Sequence, residues 1–197
     1  MTKFNLSWPR KSTPTHSLKP NLQGFRVVLK APCQDDFEQW SLVRSQNQQH
    51  LKPFEPEWPK DCLSHDFFIR RLERQDHEQK AGRGLYFLIH DKKTDHILGG
   101  LNLNNIQMGA ARHASLGYWI DKDYQGQGLM KESIALVIDY AFTHLKLKRL
   151  NAACLPHNDR SIHLLKSLKF EEEGYAKKYL QINGEWQDHT LFGLNQS

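Results

Sequence analysis

The sequence predicts a mixed α/β domain, with about seven strands interleaved with amphipathic helices. Three observations carry this. The stretch Leu116–Met130 runs from an apolar strand, through a short polar loop, into two glycines that open a long helix. Along the rest of the chain, apolar runs of strand length alternate with segments of helical period. Near the end, Asn183-Gly184 separates two alternating runs, which is the pattern of a two-residue hairpin.

In chain order, residues 1–23 are polar and contain Pro9, Pro14 and Pro20. They read as an irregular arm ahead of a domain over 24–194. Residues 24–30 hold Phe25, Val27, Val28 and Leu29 and predict a first strand, stopped by Pro32. Residues 35–45 predict a helix, with Phe37, Trp40, Leu42 and Val43 available for a core. The segment 47–63 carries Pro53, Pro56 and Pro59, which exclude regular helix or central strand there. A rigid, aromatic, acidic loop of this length is more often functional than idle. Residues 64–80 predict a second helix capped by Ser64.

Strands follow at 85–90, 97–104 and 115–121. Met130, Ile134, Val137, Ile138, Ala141 and Leu145 then recur at threes and fours, on one face of a helix running to about His144. Residues 149–155 predict a strand, and Asn158 caps a short helix with Ile162, Leu165 and Leu168 inward. The final hairpin pairs 176–182 with 185–194, a register that sets Tyr179 opposite Asp188.

The chain has 197 residues, 39% hydrophobic and 25% charged, which suits one soluble domain. No apolar run is long enough to span a bilayer, and the start lacks the apolar core of a signal peptide. The cysteines Cys33, Cys62 and Cys154 are odd in number and widely spaced. This argues against a disulfide framework or a zinc or other metal site, and for a reducing, cytoplasmic home. The net charge of +5 fits a protein that holds a polyphosphate and works near RNA. No Lys/Arg run with interleaved aromatics marks a nucleic-acid groove, so direct nucleic-acid binding is not the first reading.

Gly126 and Gly128 fall where the first helical amides have no internal partner. Bare amides and the positive end of the helix dipole make a seat for an anion, a pyrophosphate above all. A plain strand-to-helix turn would use the same two glycines. A dinucleotide fingerprint is excluded, because Lys131 stands where its third glycine is needed. A P-loop is excluded, because no Gly-Lys-Ser/Thr follows.

The run Gln125-Gly126-Gln127-Gly128-Leu129-Met130 resembles the acyl-CoA-binding loop of the GNAT family of N-acetyltransferases, Gln/Arg-x-x-Gly-x-Gly/Ala, with Met130 at the small-residue place. Asn158-Asp159-Arg160-Ser161, with Leu164-Leu165 and Leu168-Lys169-Phe170, is similar to that family's Asn-x-x-Ser-x-x-Leu-Leu-x-x-Leu-Gly-Phe, with Lys169 for the glycine. The phrases His50-Leu51-Lys52-Pro53-Phe54-Glu55-Pro56, Glu173-Gly174-Tyr175-Ala176-Lys177 and Gly184-Glu185-Trp186-Gln187-Asp188-His189 resemble the RimJ/RimL type within it, the ribosomal-protein-alanine N-acetyltransferases.

The resemblance implies a mainly antiparallel twisted sheet with helices on both faces. Two neighbouring strands, 115–121 and 149–155, splay to admit acetyl-CoA. It implies transfer of an acetyl group to the α-amine of an N-terminal alanine on a small-subunit ribosomal protein. The cofactor would lie along Tyr118, Trp119 and Ile120, on Gln125, Gly126, Gln127, Gly128, Leu129, Met130 and Lys131, and against Asn158 and Ser161. Lys131 and Arg160 would contact outer phosphates.

Ser161 would return the proton to the leaving thiolate. Some relatives carry a glutamate base where this chain has Ala153, so Glu55 is the substitute, as base through water or as anchor for the ammonium. His157 is a weaker candidate. Phe54, Glu55, Tyr179 and Asp188 would line the acceptor pocket. No His/Asp constellation supports a covalent acyl group on Cys154. Two rival readings keep the same residues: an acetyltransferase for a polyamine, antibiotic or amino acid, and a non-catalytic ribosome-assembly factor.

Overall fold

The protein is described by a computed structural model covering residues 19–196. Most of the expected N-terminal arm therefore lies outside the described residues. The strands are β1 (Leu22–Gln23), β2 (Val27–Lys30), β3 (Leu85–Asp91), β4 (Ile97–Gln107), β5 (His113–Ile120), β6 (Arg149–Cys154), β7 (Glu171–Ile182) and β8 (Glu185–Asn195). The helices are α1 (Phe37–Gln46), the single turn α2 (Gln48–Leu51), α3 (His65–Lys80), α4 (Leu129–Thr143) and α5 (Asp159–Ser167). All strands join one 8-stranded sheet in the order β1-β2-β3-β4-β5-β6-β8-β7. Among the described residues, only β5 and β6 pair in parallel; every other pair is antiparallel.

Each face of the sheet is covered because its strands alternate. Phe87, Ile89, Leu101 and Leu103 point to one side, where α4 lays down Ile134, Val137 and Ala141 and α5 adds Leu165. Ile134 and Val137 are fully buried, each worth about 1.5–3 kcal/mol of apolar transfer. On the other side, Leu88 and Ile97 meet Trp40 of α1 and Phe68 of α3. Among the described residues, no helix is long and apolar enough to cross a membrane.

Several boundaries differ from expectation. The strand expected over 24–30 is interrupted. Arg26 spends its backbone N–H on the Glu132 carboxylate at 2.7 Å, and Gly24 donates to Val27 O at 2.8 Å, closing a turn. The chain reverses there, so Leu22–Gln23 forms the extra edge strand β1. The proline-bearing segment is not wholly irregular. Its first part coils into α2 and then a 3-10 turn over Lys52–Phe54, with Pro53 in the first turn, where a missing N–H costs nothing.

The hairpin turn forms as expected, with Ile182 opposite Glu185, but the register slips farther along. Lys177, Lys178 and Tyr179 together bulge opposite Asp188. The Asp188 carboxylate draws the Lys178 N–H out of the ladder at 2.8 Å, with Lys178 at φ 47, and accepts the Tyr175 hydroxyl at 2.8 Å. Tyr179 forms no ladder pair with Asp188; its ring packs on His189, with centroids 5.8 Å apart.

Candidate active site

The site starts where β5 and β6 part. They pair only at His113–Ser115 against Arg149–Asn151. Beyond that point β5 continues to Ile120 with β4 on one side and, among the described residues, no strand on the other. Its free backbone edge faces a cleft of about 1030 Å³. Tyr118, Trp119 and Ile120 form one wall; Gln125, Gly126, Gly128, Leu129, Met130 and Lys131 form the floor. Asn158, Arg160 and Ser161 stand opposite, with Phe54 and Glu55 at one end. Tyr179 and Asp188 do not line it.

The loop between β5 and α4 is shaped by its residue types. Asp121 is 5% exposed and accepts from Asp123 N–H at 3.1 Å, starting a 3-10 turn over Lys122–Tyr124. Asn47, almost fully buried at the end of α1, accepts the Lys122 N–H at 2.8 Å and donates to Val43 O at 2.9 Å. Gly126 and Gly128 have φ of 72 and 77, a region that costs any other residue about 1–2 kcal/mol. Gly128 caps α4, so the amides after it open onto the cleft. Met130 is 6% exposed and packs into the core, so only a small part of it borders the floor. Behind the loop, Arg26 donates to Gln127 O at 2.8 Å and pairs with Glu132 at 3.0 Å.

At the far wall, Asn158 caps α5 by accepting the Ser161 N–H at 3.2 Å. The Tyr118 phenol lies close to the Ser161 side chain. Burial pushes the Tyr118 pKa up to about 12, so the phenol stays protonated. Cys154, also buried, is pushed up to about 11, mainly by desolvation. It is a thiol at neutral pH rather than a nucleophile.

Gln125 spans the mouth. Its Oε1 accepts from Arg160, and its Nε2 lies 2.5 Å from His50 Nε2. His157 sits beside Phe54, with ring centroids 6.3 Å apart.

At the other end, Glu55 is held on both oxygens by Arg44, at 2.7 and 2.6 Å, and accepts from Trp58 Nε1 at 2.8 Å. The Arg44 guanidinium lies 4.2 Å from the Trp58 ring and 5.0 Å from the Trp119 ring. Asn183 at the hairpin turn donates to Glu55 O at 2.9 Å, tying the hairpin to this loop.

This geometry suits a long anionic ligand. Lys122, Lys131 and Arg160 line the cleft with no carboxylate partner among the described residues. The helix start supplies amides for a pyrophosphate, and the free edge of β5 supplies backbone groups for an amide-bearing arm.

Residues 26–171 match the acetyltransferase family described as the acetyltransferase (GNAT) domain. The chain belongs to the GNAT family. It is 37% identical over 161 residues to the [ribosomal protein uS5]-alanine N-acetyltransferase of Escherichia coli strain K12, covering 81% of this chain and 83% of that one. Among solved GNAT structures, it resembles Mycobacterium smegmatis RimJ in complex with CoA-disulfide, with a TM-score of 0.83 and 30% identity over 90% of this chain and 86% of that one. It also resembles the ribosomal-protein-S5-alanine acetyltransferase of Vibrio fischeri, with a TM-score of 0.83 and 30% identity over 89% and 96%. As a GNAT member the chain is an N-acetyltransferase, and the open, mainly antiparallel sheet is that fold.

Sequence reading placed the glycine loop, the Asn158 cap and Ser161 around one cleft. It missed Asn47, Arg26, Arg44 and the Tyr118 hydroxyl, none of which carries a local motif. Their partners lie elsewhere in the chain.

Proposed function

We propose that this GNAT enzyme acetylates the α-amine of an N-terminal alanine on a ribosomal protein of the small subunit. The observation that carries the reading is the 37% identity to the uS5-alanine enzyme across both chains. The phrases around Glu55 and Trp186 that resemble the RimJ/RimL type lie on the loop and hairpin that meet beside the cleft. A ribosomal acceptor sets the reaction in the cytoplasm.

Acetyl-CoA supplies the acetyl group already activated as a thioester. The amides after Gly126 and Gly128 hold the pyrophosphate, with Lys131 and Arg160 at the outer phosphates. The edge of Tyr118, Trp119 and Ile120 orients the pantetheine arm and offers an N–H to the thioester carbonyl. Ser161, supported by the Tyr118 phenol, delivers a proton to the departing sulfur.

Two roles were expected for Glu55. Three donors already occupy its carboxylate, which favours anchoring over proton abstraction. An α-amine has a pKa near 7.7–8.0, so a useful fraction is neutral without a strong base. The amine then attacks directly, with Cys154 uninvolved.

The test is acetyl transfer from acetyl-CoA to an alanine-starting peptide, spermidine and an internal-lysine peptide, with the acetylated atom located by mass spectrometry. The reading expects turnover of the first, on its α-amine. Faster turnover of spermidine or lysine supports a small-amine or side-chain enzyme instead. Ribosome binding without turnover supports an assembly factor.

A further inference from the structure

A second, smaller cavity lies behind Trp119, between the sheet and helices α1 and α3. Its volume is about 40 Å³. A water needs about 10–15 Å³ by this measure, so the space suits a group of a few heavy atoms. Trp119 lines both this cavity and the main cleft. Gly100 permits this placement: a Cβ there would sit 2.4 Å from Trp119 Nε1.

The polar groups around the cavity are Arg71, Gln75, Tyr86, Asn102 and the Trp119 indole. Arg71, Asn102 and the Trp119 indole are donors with no side-chain hydrogen-bond partner among the described residues, and none of their nitrogens is fully shut off from water. Among the described residues, Arg71 has no ion-pair partner. Its guanidinium lies 6.0 Å from the Trp40 ring. The nearest charges are mostly of like sign, Arg44 and Arg74, with Glu55 the one acid nearby, and that acid is already held by Arg44. Burial and these neighbours lower the Arg71 pKa to about 10, which still leaves it charged at neutral pH. Gln75, 6% exposed, leaves its Oε1 without a partner. Residues 1–18, which are not described, contain no Asp or Glu that could serve as the missing counter-ion.

Arg71 is partly buried and lines a small cavity with no anion beside it, a place that an incoming carboxylate can fill. We propose that Arg71 binds a carboxylate of the acceptor in the cavity beyond Trp119, making it a specificity-determining residue of this enzyme. The proposal rests on the acceptor reading above and sharpens it. The amine would stand at the thioester beside Trp119 while an acidic group a short reach away fills the cavity. Asn102 Nδ2 and Trp119 Nε1 are the further donors. Arg71 is the only cation in the lining, and its planar fork matches a carboxylate through two hydrogen bonds.

The carboxylate can come from an acidic side chain early in a peptide or from the α-carboxylate of a free amino acid. The experiment separates these. Alanine-starting peptides with Glu at the second, third or fourth residue are compared with their Gln counterparts, and free amino acids are assayed alongside. The readout is the ratio of kcat/KM for each Glu–Gln pair in the wild type, Arg71→Gln and Arg71→Lys.

The wild type should prefer the acidic member of one pair by about tenfold or more, the usual worth of a hydrogen bond to a charged group. Arg71→Gln should bring that ratio to about one, and Arg71→Lys should leave it between the two, as expected when a point charge replaces a fork. Equal ratios in wild type and Arg71→Gln, or no preference in the wild type, overturn the proposal. Arg71-dependent acetylation of free amino acids with no peptide turnover keeps the subsite and overturns the peptide reading.

A measurement independent of turnover is the Trp119 indole N–H signal of the ¹⁵N-labelled full chain during titration with acetate. A saturable shift in the wild type that is absent in Arg71→Gln supports the subsite, and no shift in the wild type overturns it.

Discussion

His50 Nε2 lies 2.5 Å from Gln125 Nε2, and a third residue fixes which of the two gives the proton. Arg160 can only donate, so Gln125 must turn its oxygen to Arg160 and its amide nitrogen to His50. His50 Nε2 is therefore an acceptor, and the ring is neutral. Burial and the nearby Arg160 and Lys122 both lower the His50 pKa from its usual 6.5. The folded state thus binds fewer protons than the unfolded chain just below pH 6.5, so stability falls as pH drops through that window. Thermal unfolding of the ligand-free protein between pH 7 and 5 should show this slope, and His50→Gln should flatten it. An unchanged slope in the variant would remove the assignment.

Glu55→Gln tests the anchoring role. Arg44 has a side chain only 12% exposed, and the substitution leaves its charge without a partner between two indoles. We expect a loss of about 2–3 kcal/mol in stability by denaturant unfolding. We also expect a higher KM for the peptide acceptor with a smaller change for acetyl-CoA. If Glu55 were the base, kcat would fall while the KM for the peptide stayed unchanged.

Ser161→Ala should lower kcat by about 10²-fold, the lower end for a positioned proton donor. Its effect on acetyl-CoA affinity should be small. Because the Tyr118 phenol stays protonated to about pH 12, neither the wild type nor the variant should show a rate change from its titration between pH 7 and 10. Full turnover in Ser161→Ala would remove the serine from the chemistry.

Lys169 ends α5 in the left-handed region at φ 69, where Phe170 N–H reaches back to Leu165 O at 3.1 Å. The cap forms although a lysine holds the place the family gives to glycine. Lys169→Gly should therefore stabilise the protein by about 0.5–1 kcal/mol, read as a higher Tm, with activity unchanged.

What the sequence made legible was local. Gly126 and Gly128, Ser64, Asn158 and Asn183-Gly184 act on backbone within a few residues of themselves, and the structure places each as its chemistry requires. The helix faces were legible because burial repeats with the helical period, as Ile134, Val137 and Ala141 show. Long-range pairing was not. Arg26 meets Glu132, and Asn47 meets Lys122, only because the fold brings them together. The Tyr179–Asp188 register failed because a carboxylate competed with the ladder for the Lys178 N–H, and strand alternation carries no signal of that.

Calorimetric titration with acetyl-CoA of the wild type and Gly128→Asp tests the central claim most directly. Aspartate at that cap would add a negative charge at the helix start beside the seat proposed for the pyrophosphate, with its Cβ 3.4 Å from the Arg26 guanidinium. The account predicts saturable one-to-one binding by the wild type and affinity weakened by about tenfold or more in the variant, since like charges oppose at a helix start. Equal affinity in the two proteins, or no binding heat in the wild type, would contradict it.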